Sequence, residues 1–400
     1  MNKKHILFIV QNLSVPEDKR VWREAISAKK WGYMVSVICP VGEHYTAGYE
    51  ILQGIDIYRH TLPVEAARKL SYFLEYGISL FWESVLSMKI FLKKPFQILH
   101  VANPPDHGFL VALFFKIMGV KYVFDHHDLS PELYVAKFGK KGLFYKALSL
   151  IEKINLKVAD AVISTNESYK KIAIKRGRKS ENKVFVVRNG PDLSNIIVTP
   201  PDRNFRDGFD FLVAYIGKIA SQEKFDNPLR IAKHIVDERG LCNIKFVVIG
   251  SGPDLDKMCK LSEEMGLSKY VEFTGHLPYD RLLGILDQCD IGINVEYKDP
   301  YTDKSTMLKI MDYMLMGKPI VQFESTEGCV TAGESSLYIS DNDEKAFADA
   351  VVRLLNDPSR RKKLGEIGKN RIKKSLHWDI QKRNLNQAYH VLLKGAQRFS

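Results

Sequence analysis

Tyr301–Val321 reads YTDKSTMLKIMDYMLMGKPIV. It is a loop, a helix with a single acid among apolar neighbours, a Gly-Lys-Pro stop and a buried strand. Leu308, Met311, Leu315 and Met316 recur at helical spacing. Gly317 stands where a helix needs a left-handed residue to end, and Pro319 forbids continuation. Asp312 is the acid. A carboxylate in such company needs a partner: a ribose diol, a nearby lysine, or Lys309 three residues back on the same face.

Upstream, four apolar strands each run into a small or polar turn: FLVAYIGK (Phe211–Lys218), KFVVIGSGPDL (Lys245–Leu255), VEFTGHLP (Val271–Pro278) and CDIGINVEY (Cys289–Tyr297). The first half alternates in the same way. HILFIV, YMVSVICP, GIDIYRH, FQILHVAN, KYVFDHHD, DAVIST and KVFVVRNG read as strands, with a long helix over 66–94 between the third and fourth. Such alternation predicts parallel sheets covered by helices on both faces. The chain turns polar from Asn195 to Phe209, around adjacent Pro200 and Pro201, which marks a linker. The expected organisation is therefore an α/β chain of two doubly wound, Rossmann-like domains, 1–200 and 201–375, with a terminal helical segment over 376–400. Folds of this kind bind ligands beyond the carboxyl ends of their strands.

Four hundred residues, 45 % hydrophobic and 26 % charged, suit two globular cores and exclude global disorder. The opening MNKKHILFIVQN reads as a first strand, too short for a signal peptide. The longest apolar run, GFLVALFF from Gly108, falls far short of the ~20 residues that span a bilayer. Five scattered cysteines read as thiols of a reducing cytoplasm, mostly buried. The net charge of +12 is concentrated in residues 1–200, where 29 Lys and Arg face 18 Asp and Glu. No nucleic-acid motif accompanies it. An anionic membrane surface or a pyrophosphate-bearing acceptor explains it, as would solvated basic loops.

The succession of strands, with GSGP, FTGHLP and MGKPIV in that order, resembles glycosyltransferase family 4, whose members have the GT-B fold. The resemblance is densest from Phe211 to Val321. It implies two domains facing across a cleft, a terminal helix crossing back to the first domain, and transfer from a nucleotide-sugar donor with retention, without metal or cofactor. The expected acceptor is a growing glycan of cell-surface polysaccharide, which the basic first half suggests is carried on a polyprenyl pyrophosphate. The implied location is cytoplasmic, at the inner face of a membrane. A non-hydrolysing nucleotide-sugar epimerase and a silent nucleotide-binding partner are the alternatives.

In the family an acid at the place of Asp312 holds the donor ribose. A glutamate often stands eight residues earlier, where this chain has Lys304. Ser305, Thr306 and Lys309 lead into the helix as in some subgroups, and Ser305 and Thr306 either cap it or meet phosphate. Gly217 ends a strand and Lys218 follows, suiting close backbone approach to a diphosphate beside a cation. Glu223 and Lys224 replace the family's Lys-Gly. Both lysines are either phosphate ligands or surface residues. Gly250 begins a turn near the donor that is mainly a matter of turn geometry.

His127 and Asp128, in DHHD after a strand, match the family's His-Asp pair that faces the donor sugar. On the acceptor side, Asp18, Arg20, Asn103 and Asp106 lie at carboxyl ends of strands. Asp18 alternatively caps the next helix. The pairs Asp254/Asp256 and Asp341/Asp343 have metal-binding spacing, but each opens a helix, where acids cap. No metal is expected.

Overall fold

The computed structural model describes residues 3–62, 69–220 and 226–395. The chain divides into two compact units, 1–189 with 381–400, and 190–380. The first unit holds β1 (His5–Ile9), β2 (Met34–Pro40), β3 (Tyr49–Leu52), β4 (Ile55–His60), β5 (Ile98–Ala102), β6 (Lys121–His126), β7 (Ala161–Ser164) and β8 (Val184–Val186) in one sheet. Their order is 3-4-2-1-5-6-7-8. All neighbours are parallel except β3 and β4, an antiparallel hairpin. Its turn, Gln53-Gly54, has positive φ at both residues (51° and 75°), as the strand twist demands.

Helices Lys69–Lys93, Gly108–Ile117, Leu143–Val158 and Glu167–Gly177 share one apolar core on one face of this sheet, around Leu7, Leu99, Phe115, Phe124 and Leu156. The last helix, Trp378–Gly395, belongs to the first unit from Gln381. There Tyr389 is fully buried, its hydroxyl 2.7 Å from His100 Nδ1.

The second unit carries β9 (Phe211–Ile216), β10 (Ile244–Ile249), β11 (Val271–Gly275), β12 (Ile291–Asn294), β13 (Ile320–Phe323) and β14 (Ser336–Ile339). The order is 11-10-9-12-13-14, all parallel. In both sheets the chain builds outward one way from the first strand and then restarts on its other side. The switch points lie between β1 and β5 and between β9 and β12. Ligands of doubly wound sheets bind at these points.

Three expectations need correction. The polar stretch 195–209 is no free linker. The Thr199 N–H donates to the Asp280 carbonyl (3.1 Å), Phe205 is buried, and Gly190 lies so close to the Leu376 carbonyl that a Cβ would sit 1.7 Å away. The unit boundary therefore falls at Asn189/Gly190, because polar composition does not reveal backbone partners. The helix over Leu308–Leu315 buries Ile310, Met311, Tyr313 and Met314, while Leu308 is 46 % exposed. With apolar residues nearly all round, spacing alone does not select the face. Of the five cysteines, all free, only Cys39 and Cys289 are buried.

Candidate functional site

The carboxyl edge of the second sheet is assembled around Tyr313. Its ring occupies the space left by Gly292 of β12, where a Cβ would lie 2.3 Å from the ring. Its hydroxyl reaches between the two strands at the switch point. It accepts from the Ile216 N–H (3.0 Å) and lies 3.1 Å from the Ile293 carbonyl. This contact fixes the helix Leu308–Leu315 against the ends of β9 and β12, and with it the adjacent Asp312. Asp312 is half-buried and accepts a hydrogen bond from the Tyr279 hydroxyl at 2.7 Å.

Lys309 is 9 % exposed and forms an ion pair with Glu296, with Nζ 4.5 Å above the Tyr215 ring. Tyr215 donates to the same carboxylate at 3.2 Å. Lys309 is thus committed to Glu296, a residue the sequence reading passed over. The available signal was an acid immediately beyond an apolar strand at a switch point.

The loops after β9 and β10 meet backbone to backbone. A Cβ at Gly250 (φ 150°) would lie 1.9 Å from the Gly217 carbonyl, and one at Gly252 would lie 2.0 Å from that of Ile219. Gly250 therefore serves loop packing. Lys218 beside Gly217 is exposed, and Lys224 lies outside the described residues. Ser305 is not the cap residue of the helix. Its hydroxyl donates back to the Tyr301 carbonyl (2.9 Å), and the cap position is Met307, with no side-chain cap bond. Thr306 is half-buried in the same turn. The cap residue Met307 thus offers no side-chain oxygen to the first amide groups of the helix, and helix starts are where anions are received. Lys304 donates to the Pro300 carbonyl at 3.0 Å.

Of the acid pairs, Asp343 caps its helix, accepting from the Lys345 and Ala346 N–H groups. Asp254 stands at a cap position without a cap bond and instead meets Lys257 at 2.5 Å.

The carboxyl edge of the first sheet is built on buried charge. Arg20 is not in the loop after β1. It lies in the first turn of helix Lys19–Lys30, 4 % exposed, because Asp18 caps that helix by accepting from the Arg20 and Val21 N–H groups. Its guanidinium bonds Asp125 at 2.9 Å, the Val187 carbonyl at 2.8 Å and Glu24 at 3.2 Å, and its Nε lies 2.8 Å from His127 Nε2. That same His127 nitrogen is 2.6 Å from Asp125 Oδ2.

Burial alone would raise the Asp125 carboxyl, but Arg20 and His127 hold it well below the usual carboxylate range. Glu24 goes the other way, pushed well up by burial and by the Asp125 charge. Burial lowers His100, which sits 3.4 Å from Asp125. Glu24, His100 and Asp125 are the one group among the described residues whose donor atoms converge as a metal's ligands would. The Arg20 guanidinium already bonds both carboxylates there.

His127, its side chain 16 % exposed, is the member that reaches solvent. Asn103 sets its height. The Asn103 Oδ1 accepts from the His127 N–H (2.6 Å) and the Asp128 N–H (3.2 Å), while Nδ2 donates to Asp106 and to the Asp128 carbonyl, both at 2.8 Å. Asn103 and Asp106 are buried (2 % and 4 % exposed), so they act through the turn they hold. Burial and the charge of Glu152 raise Asp106 to about 6.

Residues 210–357 match the family described as "Glycosyl transferases group 1", and residues 20–195 match "Glycosyltransferase Family 4". An uncharacterized glycosyltransferase of Methanocaldococcus jannaschii is 23 % identical over 247 residues, 60 % of this chain and 60 % of that protein. A capsular polysaccharide biosynthesis glycosyltransferase of Staphylococcus aureus is 22 % identical over 267 residues, 64 % of this chain and 68 % of that protein. The first of these relatives is thus matched over less than two thirds of its length. Sucrose-phosphate synthase from Thermosynechococcus elongatus shares the fold with a TM-score of 0.78 at 16 % identity, over 98 % of this chain and 100 % of its own. Anabaena HepE in complex with UDP-glucose does so with a TM-score of 0.71 at 12 % identity, over 96 % and 99 %.

Proposed function

As this chain belongs to glycosyltransferase family 4 and has the GT-B fold, we propose that it transfers a hexosyl group from a UDP-sugar to a hydroxyl of a growing glycan. The glycan is carried on a polyprenyl pyrophosphate and destined for cell-surface polysaccharide. The observation that carries the reading is the half-buried Asp312, locked by Tyr313 at the switch point between β9 and β12. A carboxylate there suits the two hydroxyls of a ribose. The adjoining helix start, with Met307 at its cap, and the exposed Lys218 suit the diphosphate. Binding of UDP-glucose by a protein of like fold supports uridine as the base.

In this reading the bond from the anomeric carbon to the diphosphate oxygen breaks, and a bond to the acceptor oxygen forms on the same face. The acceptor proton passes to the departing phosphate, so configuration is retained and no enzyme carboxylate need act as base. His127, steadied by Arg20 and Asp125, meets a hydroxyl of the donor sugar, with Asp128 beside it. No metal or cofactor takes part, the nucleotide-sugar being a substrate. The reaction is placed in the cytoplasm, at the inner face of the membrane. No helix among the described residues is long and apolar enough to cross a membrane.

Calorimetry with UDP, GDP and ADP tests the donor site. UDP should bind best, and Asp312→Ala should weaken it by roughly tenfold or more, the loss expected for hydrogen bonds to a charged group. No binding of any nucleotide by the folded protein would sink the reading. Lys304, where the family often has a glutamate, favours a second reading, a silent nucleotide-binding partner. UDP binding without turnover of any donor would select it.

A further inference from the structure

The end of β12 carries two buried oxygens without donors. Ile291, Ile293 and Val295 alternate into one core, so Gly292, Asn294 and Glu296 turn to the opposite face. Tyr313 fills the space at Gly292 and Lys309 meets Glu296, which sets Glu296 against the first turn of helix Leu308–Leu315. Glu296 is nine-tenths buried, and its Oε1 takes both Lys309 and the Tyr215 hydroxyl. Its Oε2 is buried and has no hydrogen-bond partner among the described residues. The same holds for Oδ1 of Asn294, a residue 2 % exposed. Buried polar atoms are paired as a rule, so each of these oxygens calls for a donor.

The neighbouring acids are spent on the loop before the helix. Asp299 accepts from the Tyr301 and Thr302 N–H groups at 2.7 and 2.9 Å. Asp303 accepts from the Thr326 N–H at 2.9 Å and its hydroxyl at 3.0 Å. Of the acids from Glu296 to Asp312, only Glu296 keeps a buried oxygen without a donor. The chemistry of the two oxygens says what would satisfy them. Both accept and neither donates, which excludes an anion. An ammonium group would bring a second cation against Lys309. A neutral hydroxyl suits both. The start of this helix is where the proposed donor diphosphate lies, and the group attached to that diphosphate is a sugar.

We propose that Glu296 is a specificity-determining residue of the donor site: its Oε2, with the Asn294 amide oxygen two residues earlier, accepts hydroxyls of the transferred sugar. The inference rests on the reading of Asp312 and the helix start as a UDP-sugar site. It narrows the donor to a neutral hexose that turns a hydroxyl toward the end of β12. Lys309 serves there as the counter-charge of Glu296, not as a ligand of the diphosphate. Calorimetry of the full chain with UDP, UDP-glucose and UDP-galactose tests it. The quantity read is the affinity for each sugar nucleotide divided by that for UDP, in which any effect on the nucleotide itself cancels. Glu296→Gln should lower this ratio by roughly tenfold or more for at least one hexose, the loss expected when a hydroxyl gives up a charged partner.

Glu296→Gln also strands the buried Lys309. The double variant Glu296→Gln with Lys309→Met removes that cation as well, and exchanging a buried ion pair for neutral residues spares the fold. The ratio should fall equally in both, and the double variant decides if the single one does not fold. UDP binding with the ratio unchanged in both variants, or with neither sugar nucleotide bound by the wild type, would overturn the proposal and leave the donor reading standing. A fall confined to the single variant would also overturn it, because the stranded lysine would then be the cause. A wild type that binds none of the three would overturn the donor reading, and this inference with it.

Discussion

The two carboxyl edges solve one problem in opposite ways. In the first unit the polar groups are sealed: Arg20, Glu24, His100 and Asp125 are at most 4 % exposed, and only His127 emerges. In the second unit the edge is closed by glycine, backbone, tyrosines and one ion pair, Lys309 with Glu296, leaving Asp312 half-buried and Lys218 exposed. A sealed charge cluster permits a single geometry, because every alternative strands a charge in a low-dielectric interior. An open edge keeps its carboxylate and amide groups available to a ligand. The first edge therefore suits holding one imidazole in place, and the second suits exchanging a nucleotide.

Removing Arg20 should break the comparison hardest. Arg20→Met takes the counter-charge from the fully buried Asp125 and should destabilise the protein by about 3–5 kcal/mol in chemical denaturation. Adding Asp125→Asn should recover part of that loss. Lys218→Met at the open edge should stay within about 0.5 kcal/mol of wild type. A small loss for Arg20→Met would mean that water reaches the cluster and that the edge is not sealed.

Asp106 sharpens the same point through pH. Its folded pKa of about 6 lies above the value of an unfolded aspartate. Between roughly pH 4 and 6 the native state therefore holds a proton that the unfolded chain has released, and stability falls as pH rises through that window. The loss is at most about 3 kcal/mol and is complete by neutral pH. Asp106→Asn cannot ionise and keeps an acceptor for Asn103. It should be more stable than wild type at pH 7, the gap closing toward pH 4. A gap independent of pH would show that Asp106 is solvated.

At the second edge the sensitive property is shape. Gly292→Ala places a methyl 2.3 Å from the Tyr313 ring, whose hydroxyl is held between β9 and β12. The ring cannot retreat, so the substitution should cost about 2–3 kcal/mol as overpacking. It should also weaken UDP binding, because the helix bearing Asp312 moves with Tyr313.

Much of the fold was legible in the sequence, because apolar runs ending in small residues repeat along both halves. Gly317 ends its helix with φ 67°, as its place before Pro319 implied. β3 escaped notice because Tyr49 and Ile51 on it are exposed, leaving an edge strand without a buried run. The position of Asp312, on a helix between two strands, was readable. Its setting was not: the fit of Tyr313 into Gly292, the commitment of Lys309 to Glu296 and the burial of Arg20 all depend on distant partners. Arg20 and Asp125 lie 105 residues apart, and no local pattern in either segment announces the pair.

The finest test concerns what orients Asp312. Tyr279 donates to Asp312 Oδ1 at 2.7 Å, and its ring packs partly buried against the core beneath the helix. Tyr279→Phe keeps the ring and removes only the hydroxyl. The carboxylate is half-exposed and water can replace the lost donor, so stability should fall by about 1 kcal/mol or less. UDP affinity distinguishes two roles. If the tyrosine turns the carboxylate toward the ribose, binding weakens several-fold while thermal stability barely changes. If the tyrosine competes with the ribose for the same oxygen, its removal strengthens binding. Either direction locates the ribose at Asp312, whereas an affinity indifferent to Tyr279 would mean that the nucleotide does not use this carboxylate and that the open edge serves another ligand.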